Sequence, residues 1–198
     1  WHPLGTGLDV RARALCVHEG DLYAGGDFTT AGGVPASRIA RWDGTGWHPL
    51  GSGVNQTVYA LHSYGSDLIV GGLFTQAGGG PIGRLARWDG STWSPLGTGV
   101  NNAVYALEVY NGDLIVAGSF TQAGGQPASR IARWNGSAWY TLGSGTNAII
   151  YGLTTFQSKL IAGGYFTQAG GQPVNYIATW DGAIWSALGS GMNAAVKC

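Results

Sequence analysis

Residues able to do chemistry are few in this chain, and their spacing is poor for it. Four histidines (His2, His18, His48 and His62) could bind metal or move protons, but none stands at His-x-x-x-His or His-Glu-x-x-His spacing. A zinc site is therefore not expected. The two cysteines, Cys16 and Cys198, form no Cys-x-x-Cys pair, which argues against a metal or redox motif. Gly-rich stretches recur, yet none reads Gly-x-x-x-x-Gly-Lys-Ser/Thr, and no helical pattern follows to present a phosphate-binding N-terminus. No acidic calcium loop is present, and Gly51-Ser52-Gly53 and Gly143-Ser144-Gly145 are too short for a nucleophile elbow. The chain is read as a non-enzyme with no catalytic residue, no metal site and no cofactor site. Two sequons, Asn55-Gln56-Thr57 and Asn135-Gly136-Ser137, make Asn55 and Asn135 candidate glycosylation sites on a secretory route.

The recurring residues are a richer set. Trp42, Trp88, Trp134 and Trp180 share one position of a repeating text, and Trp47, Trp93, Trp139 and Trp185 share another. Aromatics at fixed repeat positions fill the space between neighbouring units, each burying roughly 150–250 Å²; the alternative is a ring of sugar-stacking platforms. Arg41, Arg87 and Arg133 each precede a Trp, with Arg38, Arg84 and Arg130 three residues earlier, on the opposite face if that stretch is one strand. Asp21, Asp67 and Asp113 recur at the start of a β-rich segment, and Asp43, Asp89 and Asp181 in a turn. Recurring Arg with recurring Asp reads as ion pairs and turn hydrogen bonds before it reads as a ligand site. The fourth unit departs, with Tyr176 and Thr179 in place of its two Arg.

What positions these residues is the repeat itself. Trp-x-x-Leu-Gly-x-Gly begins at Trp1, Trp47, Trp93, Trp139 and Trp185, without insertion or deletion. The single domain 1–198 thus holds four full units (1–46, 47–92, 93–138, 139–184) and a partial fifth, 185–198. Unit two shows four strands: Val58–Leu61, Asp67–Gly72, Arg84–Trp88 and Trp93–Leu96. Hairpin signals at Gly65-Ser66 and Asp89-Gly90 separate them, with a turn-rich loop at Thr75–Pro81. Four antiparallel strands in some 46 residues are the size of one blade of an all-β β-propeller. Leucine-rich repeats are shorter, helical repeats need apolar faces this text lacks, and a sandwich has no reason to keep a fixed step.

Composition sets the outer limits. Among 198 residues, Lys+Arg 10 balance Asp+Glu 10, so no net field draws in nucleic acid. Charged residues are only 10% of the chain and Gly numbers 36, which disfavours long exposed helices. With 44% hydrophobic residues the chain can bury a core, and no run of about 18 apolar residues would span a bilayer as a helix. A chain that opens at Trp1 and not at Met reads as processed or as a fragment.

A strand ending in Gly25-Gly26, a loop, then Trp42 five residues before Trp47, resembles the kelch repeat. It departs in having Trp where kelch usually has Tyr. The fuller phrase Leu22-Tyr23-Ala24-Gly25-Gly26-Asp27-Phe28-Thr29-Thr30-Ala31-Gly32-Gly33, closing on Arg41-Trp42-Asp43-Gly44, is similar to kelch-like repeats of secreted bacterial and fungal cortical-marker-like surface proteins. The resemblance covers the whole chain. It implies a surface or extracellular propeller and transfers no catalytic residue.

The expected function is an extracellular or cell-surface structural or interaction module that meets a protein partner or self-associates through its terminal strands. A lectin-like carbohydrate binder is the first alternative, and an enzyme with a site at the propeller mouth the second. Low charge, a single Met and abundant Thr and Ser fit a secreted or cell-surface location. Function that is local should lie where the copies differ. Those places are Asp27/Leu73/Ser119/Tyr165, His2/His48/Ser94/Tyr140/Ser186, and the stretches Cys16–Glu19, His62–Gly65, Glu108–Asn111 and Thr154–Gln157. Cys198 aligns with Ala14, four periods earlier, two residues from Cys16 on the same strand face. If the ring closes at four blades, a Cys16–Cys198 disulfide would clasp the seam; two unrelated thiols or an interchain bond are the alternatives.

Overall fold

A computed structural model describes residues 2–197, and among them only strands, bridges, turns and bends occur, with no helix. The chain divides into two compact units, Trp1–Gly99 and Val100–Cys198. Each holds two four-stranded antiparallel sheets, here called blades 1 and 2, and blades 3 and 4. Blade 1 is Ala12–His18, Asp21–Gly26, Ile39–Trp42 and Trp47–Pro49, and blade 2 is Val58–Tyr64, Asp67–Gly72, Leu85–Trp88 and Trp93–Pro95. Blade 3 is Val104–Tyr110, Asp113–Gly118, Ile131–Trp134 and Trp139–Thr141, and blade 4 is Ile150–Phe156, Lys159–Gly164, Ile177–Trp180 and Trp185–Ala187. In every blade the strands lie side by side in chain order. The all-β propeller-blade architecture expected from the repeat is what the chain adopts.

The residues explain the sheets. Second strands are central and covered on both faces, so Leu68, Ile69 and Val70 run as a continuous buried apolar stretch. Their hairpins turn through left-handed pairs, Glu19-Gly20 (φ 51° and 88°) and Asn111-Gly112 (φ 52° and 83°), the geometry that matches strand twist. The second glycine of each Gly-Gly pair marks a close approach. A Cβ on Gly72 would lie 2.1 Å from the Thr57 carbonyl oxygen, at the point where the first strand slips register between Val58 and Ala60. After that glycine the chain turns inward, and Phe28, Phe74, Phe120 and Phe166 become the fully buried anchors of the four blades.

Several details differ from the sequence reading. The first strand of blade 2 runs on to Tyr64, and the fourth stops at Pro95. The loop Thr75–Pro81 contains a small ribbon, Gln76–Ala77 against Gly80–Pro81, folded about Gly78-Gly79. Arg84 is not in the third strand, so the strand-face argument for the paired arginines does not apply. Arg38, Arg84, Arg130 and Tyr176 instead take left-handed backbone (φ 68°, 63°, 68° and 63°). Hydrogen bonds offset that conformational cost of roughly 1–2 kcal/mol. The Arg84 amide donates to the Phe74 carbonyl at 2.8 Å, and the Arg130 guanidinium donates to the Ser119 carbonyl at 2.8 Å.

Candidate functional site

Within each unit the two blades are joined by a linker that clips into the second. Between blades 1 and 2, Gly53 N–H closes a turn onto the Leu50 carbonyl at 3.0 Å, and Trp93 Nε1–H donates to the same carbonyl at 3.0 Å. Gly78 N–H then donates to the Gly53 carbonyl at 3.0 Å, and Val54 bridges Ala77. Asn55 completes the clip: its Oδ1 accepts from Thr75 and Gln76 N–H, and its Nδ2 donates to Thr75 Oγ1. Between blades 3 and 4 the same bonds run from Trp185 to Leu142 and from Thr167 and Gln168 to Asn147. Residues 4–9 dock on blade 1 in this way, with Trp47 bonded to Leu4 and Asp9 standing for the Asn.

This geometry assigns the repeated tryptophans. Trp42–Trp47, Trp88–Trp93, Trp134–Trp139 and Trp180–Trp185 are cross-strand pairs within a blade, with centroids 5.5, 5.2, 5.3 and 5.4 Å apart. They also cover the incoming linker: Gly51 lies against Trp88 and Trp93, and Gly143 against Trp180 and Trp185. Their rings are buried or half-buried among protein groups.

The repeated charges are likewise engaged. Arg41 pairs with Asp21 at 2.8 Å, Arg87 with Asp67 at 3.2 Å, and Arg133 with Asp113. Asp43, Asp89, Asn135 and Asp181 each accept two or more backbone N–H bonds from their own turn. Bonds from Thr45 and Gly46 hold Asp43 well below the usual carboxylate range, and bonds from Thr92 and Ser91 do the same for Asp89. The Thr29 hydroxyl and the Thr29 and Thr30 amides lower Asp9 to about 2. Burial opposes ionisation of Asp27, yet bonds from Arg11, Thr57 and Arg13 take it to about 2. These four carboxylates are structural acceptors, already ionised and oriented. Burial pushes the Cys16 thiol up. His18 Nδ1 meets Ser63 Oγ at 2.8 Å, and His48 Nε2 meets Asp43 at 2.7 Å. Among the described residues no three His, Cys, Asp or Glu gather as metal ligands would.

Two clefts flank Trp180 in the second unit. One, of about 340 Å³, is lined by Tyr110, Asp113, Arg133, Leu142 and Trp180. The other, of about 360 Å³, is lined by Ser144, Gln172, Trp180, Ile184 and Trp185. Tyr110 Oη donates to the Ser158 carbonyl at 3.2 Å, and the Arg133–Asp113 pair neutralises itself. The clefts can seat a small polar molecule beside an aromatic edge.

Several exposed apolar groups lie on the strands of blades 1 and 4. On blade 1 the strand face carrying Leu15 and Val17 is 63% and 68% exposed at those residues. In blade 2 the equivalent Leu61 is buried with Tyr23, Ala14 and Cys16 of blade 1. On blade 4, Phe156 is 62% exposed. Val17 and Phe156 fall in stretches marked as variable in the sequence. Leu15 was missed, because its column is Leu in all four copies and reads as core.

The sequons separate on contact. Asn55 uses both ends of its amide in the linker clip, whereas the turn bonds to Asn135 all run to Oδ1 on an exposed residue. The disulfide expected of Cys16 and Cys198 falls on a residue outside the described ones. So does Trp1; residues 2–4 form no strand, in contrast to Trp185–Ala187.

Comparison with known proteins supports the architecture. A family model described as a β-propeller domain of unknown function (DUF5122) matches residues 111–137 and 158–178. No curated protein matches the chain. Among solved structures, the computationally designed Ika4 protein superposes with a TM-score of 0.54 at 16% identity, over 89% of this chain and 94% of that one. The computationally designed Ika8 protein gives 0.54 at 16% identity, over 94% of this chain and 64% of its own. At such identity the likeness concerns the fold. No helix is long and apolar enough to cross a membrane among the described residues.

Proposed function

We propose that this kelch-like propeller chain is an extracellular or cell-surface structural and interaction module: a rigid scaffold that presents blade faces and loops to a protein partner. The observation that carries this reading is the division of labour along the repeat. Recurring Trp, Arg, Asp and Asn side chains are tied into linker clips, ion pairs and turns. Apolar side chains such as Leu15, Val17 and Phe156 are among the groups left facing outward. The open sequon at Asn135 supports a secretory route, and expression in a eukaryotic secretory host should place a glycan there and leave Asn55 bare.

A lectin-like reading is favoured by one observation, the cleft lined by Arg133, Asp113, Tyr110 and Trp180. A glycan array separates the two. The interaction-module reading expects no selective glycan; selective binding that Arg133→Ala abolishes would replace it with the lectin.

A further inference from the structure

The same blade junction occurs once inside each unit, and the two are filled differently. In unit 1, where blade 1 meets blade 2, Tyr23 is 5% exposed and belongs to a cluster with Leu50 and Trp88. The His18 ring meets it edge-on at 5.7 Å, and Arg41 is its cross-strand partner. Burial pushes the Tyr23 hydroxyl up, while the Arg41 guanidinium beside it opposes the rise. Arg41 thus serves the phenol and the Asp21 carboxylate together.

In unit 2, two repeats later, the counterparts of His18, Asp21, Arg41, Leu50 and Trp88 are Tyr110, Asp113, Arg133, Leu142 and Trp180. All five line the cleft of about 340 Å³. The counterpart of Tyr23 is Ile115, which pairs with Arg133 in the same register and lines the cleft as well. Isoleucine brings neither ring nor hydroxyl to the place that Tyr23 fills. Tyr110 does not take that part, because its hydroxyl donates to the Ser158 carbonyl at 3.2 Å and its ring stays a wall. Arg133 keeps its ion pair with Asp113 and stacks on the Tyr140 ring at 4.6 Å, so the guanidinium is held in place. The cleft volume falls within the range of about 300–1,000 Å³ common for small-ligand pockets. The side chain that unit 1 packs against these groups shows what they fit.

We propose that the cleft of unit 2 is a phenol-binding niche and that its occupant is a tyrosine side chain of a protein partner. The ring lies beside Tyr110 and Trp180, and the hydroxyl accepts a hydrogen bond from Arg133. This deepens the interaction-module reading, on which it rests, by naming the chemistry the partner presents. A free phenolic compound carries the same group, and the test separates the two sources.

The test is an NMR titration followed at the Trp180 indole N–H. The probes are p-cresol (the free tyrosine side chain), toluene and N-acetyl-tyrosinamide. The proposal expects p-cresol to bind about tenfold more tightly than toluene, because its hydroxyl meets Arg133. N-acetyl-tyrosinamide should bind at least as well as p-cresol. Ile115→Tyr, which gives unit 2 the residue of unit 1, should keep the fold and abolish binding of all three. Tyr23→Ile should open a second site, read at the Trp88 indole N–H. Failure of p-cresol to bind, or binding that Ile115→Tyr leaves intact, would overturn the niche. Toluene bound as tightly as p-cresol would overturn the part given to Arg133, and a folded Tyr23→Ile chain without a second site would overturn the equivalence of the two junctions. Binding of p-cresol with exclusion of the amide would overturn the partner's tyrosine and assign the niche to free phenols. Each of these failures leaves the scaffold reading standing, since the glycan at Asn135 tests that reading apart from the cleft.

Discussion

Leu50–Asn55 and Leu188–Asn193 are the same linker three periods apart, and the chain folds both into the same turn. Among the described residues the first enters a following blade, blade 2. Leu50 and Val54 are 2% and 3% exposed there, while Leu188 and Met192 are 42% and 48% exposed. Local sequence therefore sets the shape of the clip, and the receiving blade sets its burial. The difference separates what each repeat does for itself from what it needs a neighbour to do.

The contrast can be strained most at the aromatic positions. Phe74→Ala empties a fully buried anchor and should cost about 3–5 kcal/mol. Phe156→Ala should stay within about 0.5 kcal/mol in the dilute single chain; urea unfolding compares them. Equal losses would mean that Phe156 is already packed. At the linker, Leu50→Ala should cost about 2–5 kcal/mol and Leu188→Ala almost nothing, read as thermal shifts. Next comes the seat of the following blade. Gly25→Ala puts a methyl 2.4 Å from Val58 and should cost about 1–3 kcal/mol, although the third copy carries buried Ala117 at that position without a glycine. An inert Gly25→Ala would show that the blade 1–2 junction relaxes freely.

The smallest effect is a pH difference between two clips. Asp9 titrates near 2 in the folded chain, below the usual value of about 3.9. Its stabilising bonds are therefore fully present above about pH 4 and fade as pH falls toward 2. The neutral Asn55 clip has no such loss. Asp9→Asn should flatten part of the acid-induced fall in melting temperature over that window, with Asp27 accounting for a further share. A slope unchanged by Asp9→Asn would remove this distinction.

Much of the architecture was legible because each blade is written in local signals. The 46-residue step, the hairpin glycines and the Gly-Gly ending of the second strand placed the blades, and the Arg–Asp pairing followed from their recurrence. The left-handed Arg38, Arg84 and Arg130 were not legible. Nothing in a single sequence marks a non-glycine residue for positive φ when its compensation comes from carbonyls ten or eleven residues away. The Gln76–Ala77 ribbon was hidden for a similar reason, since two-residue strands carry no period. The exposed Leu15 was the hardest to see. Its residue type matches the buried Leu61, and only the identity of the neighbouring surface tells them apart.

Thermal melting of Asn55→Ala beside Leu15→Ala tests the central claim, that the recurring side chains hold the scaffold while the outward apolar ones are left for a partner. The account predicts a fall of several degrees for Asn55→Ala, which loses its bonds to Thr75 and Gln76, and almost none for Leu15→Ala, an exposed side chain. Equal falls, or a larger one for Leu15→Ala, would contradict it.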